Sequence, residues 1–230
     1  EANKLLDKKW KTIQPEDYFK LRKEKLTKEK ISELSASSTT AITSSSPEYI
    51  KAEQDADMEA RKEMNSEQPF YRQNKDGSIL KITITTADTN EYQKAAEVLA
   101  KNWRKIGVQV EINSVPSRQI NSEIIRDRNY DVLLYAAIVG SDPDLYPFWH
   151  SSQIKYPGLN LAMFSNQKAD QILEKARSVG SVEDQNEYYK KLQDILNEEM
   201  PAIFLYTPTY TFAADSSIKG ITDIKIFNPS

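Results

Sequence analysis

The residues best able to do chemistry lie close together, in the stretch GSDPDLYPFWHSSQ that spans residues 140 to 153. It contains Asp142, Asp144 and His150, and His150 is the only histidine of the chain. A histidine oriented by a carboxylate can act as a general base, and Asp-x-Asp with a histidine can bind a divalent metal. One hypothesis is therefore an enzyme that uses these three side chains.

The rest of the sequence gives this chemistry little support. The chain has no cysteine, no serine stands in a strained nucleophile turn, and one histidine supplies few ligands for a hydrolytic metal centre. Asp142 and Asp144 flank Pro143 and can simply form a turn, with His150 as a structural hydrogen-bonding group. We predict a protein without catalytic residues, bound metal or cofactor.

The aromatic side chains of the same stretch favour a binding surface. The stretch follows the apolar run YDVLLYAAIV, residues 130 to 139, which we expect to form the central strand of a sheet. Ligands of open α/β sheets bind at the carboxyl ends of strands, where alanines leave room and aromatic rings supply contact area. The predicted ligand-binding residues are Ala136, Ala137, Ile138, Val139, Asp142, Tyr146 and Trp149.

The elements around this stretch predict an α/β fold. LKITITT and VQVEINSV alternate apolar and polar residues as half-buried strands do, and a helical pattern from Asn90 to Ile106 separates them. Two more helices are predicted from about Asn166 and after the cap residue Ser181. AIFLYTPTYTFAA and KGITDIKIF, near the end of the chain, predict a last strand and an edge strand.

The first third of the chain has a different composition. Two lysine- and glutamate-rich stretches flank SASSTTAITSSSP, and this pattern predicts two polar helices with a mobile connector. We divide the chain into residues 1–76, an opening helix plus a polar helical insertion, and residues 77–230, a ligand-binding lobe. The charged surface of residues 1–76 indicates no chemistry.

Composition excludes some partners. The formal net charge of the 230 residues is -3, which gives no basic field for nucleic acid or for an anionic membrane. No apolar run approaches the ~18 residues of a membrane-spanning helix. The chain starts at Glu1 without a leader pattern, so we expect an excised piece of a longer protein.

Several ordered motifs together resemble a known family. YDVLLYAAIVGSDPDLYPFWHSSQ, NLAMFSNQKADQILEKAR, YYKKLQDILNEEMPAIFLYTPTYTF and the upstream EANKLLDKKW resemble the carboxyl-terminal lobe of peptide-type (family 5) extracellular solute-binding proteins of ABC importers. The resemblance covers nearly everything except about residues 11 to 70, where the family commonly has a short link.

The resemblance implies both fold and function. We expect a periplasmic-binding-protein-like (type II) lobe, a mixed β-sheet flanked by helices, which helps to capture an oligopeptide or similar small solute. Its expected partners are the first lobe of the same protein and an ABC permease, and we expect a monomer tethered outside the cell membrane. An interaction module without transport remains an alternative.

One position departs from the family pattern. Several peptide binders of the family carry an aspartate near the end of the matching strand, where it pairs with the amino terminus of the ligand. This chain has Val139 there, and Asp142 follows shortly after. The sequence leaves open which group would hold the ligand's amino terminus.

Overall fold

The computed structural model describes residues 1–37, 42–138, 144–207, 215 and 217. The chain divides into two compact units. Unit 1 comprises Glu1–Ser117 with Tyr130–Tyr135, and unit 2 comprises Arg118–Asn129 with Ala136–Ser230. The sequence-based division at residues 76 and 77 stays a prediction.

The regular elements of unit 1 combine a helical hairpin with a parallel sheet. Its helices are α1 (Ala2–Leu6), α2 (Pro15–Ser37), α3 (Pro47–Glu63) and α4 (Asn90–Arg104). Its strands are β1 (Lys11–Ile13), β2 (Tyr71–Gln73), β3 (Lys81–Ala87), β4 (Gln109–Val115) and β5 (Val132–Leu133). The short helix α5 (Ser117–Gln119) begins at the last residue of this part of unit 1 and continues in unit 2 as a π-helix, Ile120–Ile125.

The three-stranded sheet has the order β4-β3-β5, and both pairings are parallel. It confirms the predicted β-α-β unit, in which α4 ends before Gly107 at a φ of 87°. Gly107 packs closely against Phe70, and a Cβ atom at this position would lie 2.5 Å from a carbon of the Phe70 ring. Glycine is therefore required here both by conformation and by space.

In the described part of the sheet, the predicted run of residues 130–139 does not form the central strand. β3 is central because it pairs on both sides, and only Val132–Leu133 of the apolar run pair with it. A hydrogen bond from the Leu134 backbone N–H to the Thr85 carbonyl ends this pairing. Residues 135–138 are exposed rather than covered on both faces, since an apolar run does not by itself supply a neighbouring strand.

The core of unit 1 lies between α4 and the sheet. It centres on Ile84 of β3, which is fully buried, and on the small residues Ala96 and Ala100 of α4. Val108 and Val110 complete the buried cluster from the start of β4. The alanines let α4 approach the sheet closely, which fixes the ends of β3 and β4.

The polar insertion is a helical hairpin whose base is fixed to unit 1. Tyr18 at the start of α2 is 2% exposed, stacks on Tyr71 at 3.8 Å between ring centroids, and donates to the side chain of Gln109. Arg22 donates two hydrogen bonds to Glu63 of α3. The two predicted polar helices are confirmed, α2 continues to Ser37, and residues 38–41 of the predicted connector lie outside the described residues.

A buried arginine anchors the first residues of the chain. The Arg72 side chain is 1% exposed and donates from Nε to the Ile106 carbonyl at 2.6 Å. Its Nη1 lies 2.7 Å from Asp7 Oδ1, and its Nη2 donates to Asn3 Oδ1 at 2.8 Å. Arg72 thereby ties α1 and the turn after α4 to β2, which pairs with β1 in an antiparallel ribbon.

Unit 2 is mainly helical in its described part. Its elements after the π-helix are α6 (Tyr146–Trp149), a 3-10 turn (Ser151–Gln153), α7 (Gln167–Ser178) and α8 (Val182–Glu199). The predicted cap Ser181 is confirmed, because its side chain accepts from the Asp184 N–H. The predicted helix start near Asn166 is also confirmed, and the Asn166 side chain accepts from two backbone N–H groups of α7. The buried core is formed by Phe164, Ala169, Leu173, Leu192 and Leu196.

The segment after α8 differs from its prediction. Residues 202–207, the described start of the predicted last strand, form no strand. Ile203 and Phe204 are 68% and 73% exposed, and an apolar sequence does not by itself place a neighbouring strand beside them. The remainder of this segment and the predicted edge strand, residues 219–227, lie outside the described residues.

Replacing Arg72 with alanine should destabilise unit 1. The change removes a buried side chain and leaves the Ile106 carbonyl without its donor, so we expect the free energy of unfolding to fall by about 2–4 kcal/mol. Hydrogen exchange of the β3 amides measures this loss separately from unit 2. Arg126→Ala is the control, since its exposed pair with Asp127 should contribute less than about 1 kcal/mol. Unchanged β3 protection in Arg72→Ala would contradict the anchoring role.

Candidate functional site

The described part of the aromatic stretch, residues 144–153, contains the short helix α6 in unit 2. Asp144 Oδ1 accepts the Tyr146 backbone N–H at 3.1 Å, directly before α6. Pro147 lies in the first turn of α6, where its missing N–H costs no helical hydrogen bond. This local chemistry fixes where Tyr146 and Trp149 project.

A layered stack of side chains joins α6 to α7. Arg177 of α7 contacts both Asp144 carboxylate oxygens, at 2.6 Å for its shortest bond, and its guanidinium lies 3.9 Å from the Tyr146 ring centroid. The His150 ring also stacks on the Tyr146 ring, with 4.1 Å between the ring centroids. The order of the layers is guanidinium, phenol and imidazole, and the Asp144 carboxylate neutralises the guanidinium.

The Asp144 carboxyl is held in its charged form. Burial alone would raise its pKa, but the hydrogen bonds from Arg177 and from the Tyr146 N–H, with the charge of Arg177, lower the pKa below its ordinary value. Asp144 therefore acts as an ion-pair partner and helix cap. A carboxylate held in this way is a poor proton acceptor.

His150 is a buried structural group in this arrangement. Its Nδ1 accepts the Ser152 backbone N–H at 3.1 Å, so the ring proton lies on Nε2. That Nε2 is buried, and it has no hydrogen-bond partner among the described residues. The nearest carboxylate oxygens lie 3.6 Å away on Glu174 and 3.9 Å away on Asp170.

The turn after α6 is fixed by two side chains. Asp170 of α7 accepts from the Ser151 backbone N–H at 2.9 Å and from its hydroxyl at 2.6 Å. Asn160 is fully buried, and its side-chain amide donates to the carbonyls of His150 and Phe164. The backbone around His150 therefore has few conformations open to it.

Trp149 packs into the core of unit 2. Its ring meets Phe164 edge-on at 6.2 Å between centroids, and it lies 6.0 Å from the Phe204 ring. The indole is only half-buried. Trp149 is therefore at least partly scaffold, and the side of the ring that remains exposed is what a ligand would contact.

The structure describes most, but not all, of the predicted ligand-binding residues. Ala136, Ala137 and Ile138 are exposed, and Tyr146 is half-buried. Val139 and Asp142, which the sequence also assigned to the binding wall, lie outside the described residues. The ligand-binding role of the whole set stays a prediction.

The predicted enzyme set is not assembled in the described part of the chain. Asp144 pairs with Arg177, while the carboxylates near His150 are Asp170 and Glu174, which the sequence reasoning missed. Their spacing of four residues on one predicted helix was the available signal. Within the described ranges, no cluster of three or more histidine, aspartate or glutamate side chains is placed to hold a metal ion.

Comparison with known families gives the relationship directly. The sequence pattern of the bacterial extracellular solute-binding proteins, family 5 (middle region), matches residues 23–156, more than half of the chain. The chain belongs to this family. The prediction made from the motifs is thereby confirmed.

Two curated relatives are named for peptide binding or peptide transport. The chain is 28% identical over 148 residues to the oligopeptide-binding protein AppA of Bacillus subtilis, which covers 64% of this chain and 27% of AppA. It is 30% identical over 131 residues to the peptide transport periplasmic protein SapA of Salmonella typhimurium, which covers 56% of this chain and 24% of SapA. The chain thus spans about a quarter of the length of the relatives it matches.

A solved structure shows the fold. The structure of Bacillus subtilis AppA in complex with a nonapeptide matches with a TM-score of 0.53 at 24% identity, over 65% of this chain and 30% of that one. The fold is that of type II periplasmic binding proteins, with helices and a parallel sheet. The predicted fold class is confirmed.

The Asp144–Arg177 pair should give unit 2 a pH-dependent stability. The folded-state pKa of Asp144 is lowered, so its contribution is present above the unfolded value of about 3.9 and is lost as the pH falls through the folded value. Arg177→Gln should therefore lower the thermal midpoint at neutral pH and lose this effect in acid. Because both side chains are partly exposed, we expect less than about 1 kcal/mol at neutral pH.

Lys175→Gln provides the matched control for this measurement. It removes one positive charge from the same turn of α7, and Lys175 forms no ion pair with a described residue. Thermal unfolding of both variants and the parent between acid and neutral pH separates the specific pair from general charge. Equal pH profiles for Arg177→Gln and Lys175→Gln would refute the assignment.

Proposed function

We propose that this chain is the ligand-binding lobe of a solute-binding protein that captures oligopeptides, or similar small solutes, for an ABC importer. The observation that carries the proposal is the family match over residues 23–156. The names of the relatives support peptides as the solute class. Alignment with only about a quarter of each relative supports the assignment to one lobe.

The predicted binding wall has a suitable setting within unit 2. The exposed segment Ala136–Ile138 shortly precedes, in sequence, the helix that carries Tyr146 and Trp149. The small side chains of Ala136 and Ala137 let a peptide backbone approach, and rigid aromatic rings add contact area at a small entropic cost. The ion pair between Asp144 and Arg177 stabilises this turn without a bound ligand.

The same geometry supports binding without chemistry. The relatives are named as binding or transport proteins, and the ring of His150 uses Nδ1 to accept a backbone hydrogen bond. The Asp144 carboxylate is paired with Arg177, so Asp144 and His150 do not form an acid–base pair with each other. We propose that the protein binds and releases its solute unchanged.

The proposal includes a place and partners. The family is described as extracellular, so the full-length protein would work outside the cell membrane, tethered near its permease as a monomer. None of the helices in the described ranges is long and apolar enough to cross a bilayer. The first lobe of the same protein would close on the solute from the opposite side.

A single lobe should bind peptides weakly. Closure of two lobes buries a ligand on both sides, so the 230-residue chain alone should bind with a Kd of ~1 mM or poorer, about -4 kcal/mol. Calorimetric titration with mixed oligopeptides measures this affinity, and the full-length protein is the positive control. Micromolar binding by the isolated chain would refute the one-lobe assignment, whereas no binding by the full-length protein would refute peptides as its solute.

Trp149→Ala in the full-length protein should weaken peptide binding by about 1–3 kcal/mol, because the exposed side of the ring would serve as a contact. Titration must be made well below the unfolding temperature, since the ring also packs on Phe164. Tyr156→Ala is the control, as Tyr156 is an aromatic residue of the same unit that is 57% exposed. His150→Ala should lower stability more than affinity. Equal affinity for Trp149→Ala and the parent would make Trp149 scaffold alone.

A further inference from the structure

A cavity in unit 1 shares no lining residue with the predicted binding wall. It opens between the end of α3, the end of α4 and the start of β4, and its volume is about 460 Å³. All of its lining residues belong to unit 1. It lies at the amino-terminal end of β4, whereas the proposed solute wall follows the carboxyl end of a strand.

The carboxylates around this cavity are neutralised by their own partners. Each of the three lining glutamates pairs with a cation that does not line the cavity. These pairs are Glu59 with Lys30 at 2.9 Å, Glu63 with Arg22 at 2.7 Å, and Glu111 with Lys81 at 2.7 Å. The lining glutamates therefore leave little negative charge facing the cavity.

Two cationic side chains that line the cavity have no ion-pair partner among the described residues, unlike the three glutamates. Neither Lys62 nor Arg104 forms an ion pair with any residue in the described ranges. Arg104 is half-buried, and its side chain donates one hydrogen bond, from Nη2 to the Val110 carbonyl at 3.1 Å. A guanidinium has five N–H donors, so most of them stay available to a ligand.

A phenol adds a third donor to the cavity. The Tyr71 hydroxyl accepts the Asn65 backbone N–H at 3.4 Å, and within the described part of the chain no group accepts its proton. Burial raises the pKa of Tyr71, so the hydroxyl keeps that proton over the physiological range. Stacking on Tyr18 fixes the plane of the ring and hence the position of the hydroxyl.

We propose that this cavity is a second binding site, which takes a small carboxylate anion. Arg104 offers a planar pair of donors that matches a carboxylate, Lys62 supplies a second positive charge, and the Tyr71 hydroxyl donates a further hydrogen bond. Asn65 and Gln109 also line the cavity, and polar residues suit the polar remainder of such a molecule. The site serves a ligand other than the transported solute.

Succinate is the probe for this site. Titration of the ¹⁵N-labelled 230-residue chain, with sodium chloride holding the ionic strength constant, should give saturable amide shifts confined to residues 62–71 and 104–111. Inorganic phosphate and chloride alone are the parallel arms. Shifts that do not saturate, or that lie elsewhere, would overturn the site, and saturation by phosphate but not by succinate would overturn the carboxylate assignment.

Two variants test which groups hold the anion. Arg104→Gln and Lys62→Gln should each weaken succinate binding by about 10-fold, because each removes a charge-assisted hydrogen bond. Lys105→Gln is the matched control, since it removes the neighbouring positive charge, which does not line the cavity, and should leave the affinity unchanged. Lys62 is exposed, so Lys62→Gln keeps the fold even where Arg104→Gln does not. Parent-like affinity in Lys62→Gln would overturn the proposed role of the cations.

Discussion

Much of unit 1 depends on the burial of one guanidinium. Arg72 lies in a two-stranded ribbon, yet its donors reach a carbonyl at the end of α4 and two side chains around α1. Removing a charge from water is costly, so such a group is stable only where its donors are satisfied. The ribbon, the first helix and the β-α-β unit are thereby held in one arrangement.

In unit 2, stacked planar side chains hold neighbouring elements together, where unit 1 uses a buried charge. The guanidinium of Arg177, the phenol of Tyr146 and the imidazole of His150 form successive layers between α6 and α7. The layers stabilise a four-residue helix that could not persist alone. Residues that the sequence suggests for chemistry or binding therefore also stabilise the local fold. Amino-acid composition alone cannot distinguish a binding role from this structural role.

The sequence predicted the elements whose signals are local. The helix start near Asn166, the cap at Ser181, the helical pattern that ends before Gly107 and the alternation in β3 depend on residues within a few positions of each other. The central position of β3 and the partners of Arg72 depend on contacts between distant parts of the chain. An apolar run such as residues 130–139 indicates that a segment can be buried, but it does not specify which strands pair with that segment. In the described sheet, the central position is therefore taken by β3 and not by this run.

The ribbon at the base of the helical hairpin has a consequence for how this chain can vary between relatives. Ile13 and Tyr71, the residues that lead into and out of the hairpin, are direct partners in β1 and β2. The Cα atoms of paired residues lie about 5 Å apart, a gap that a two-residue turn spans. Residues 14–70 can thus be exchanged in evolution for a short turn between Ile13 and Tyr71, and the pairing register of β1 and β2 would stay the same.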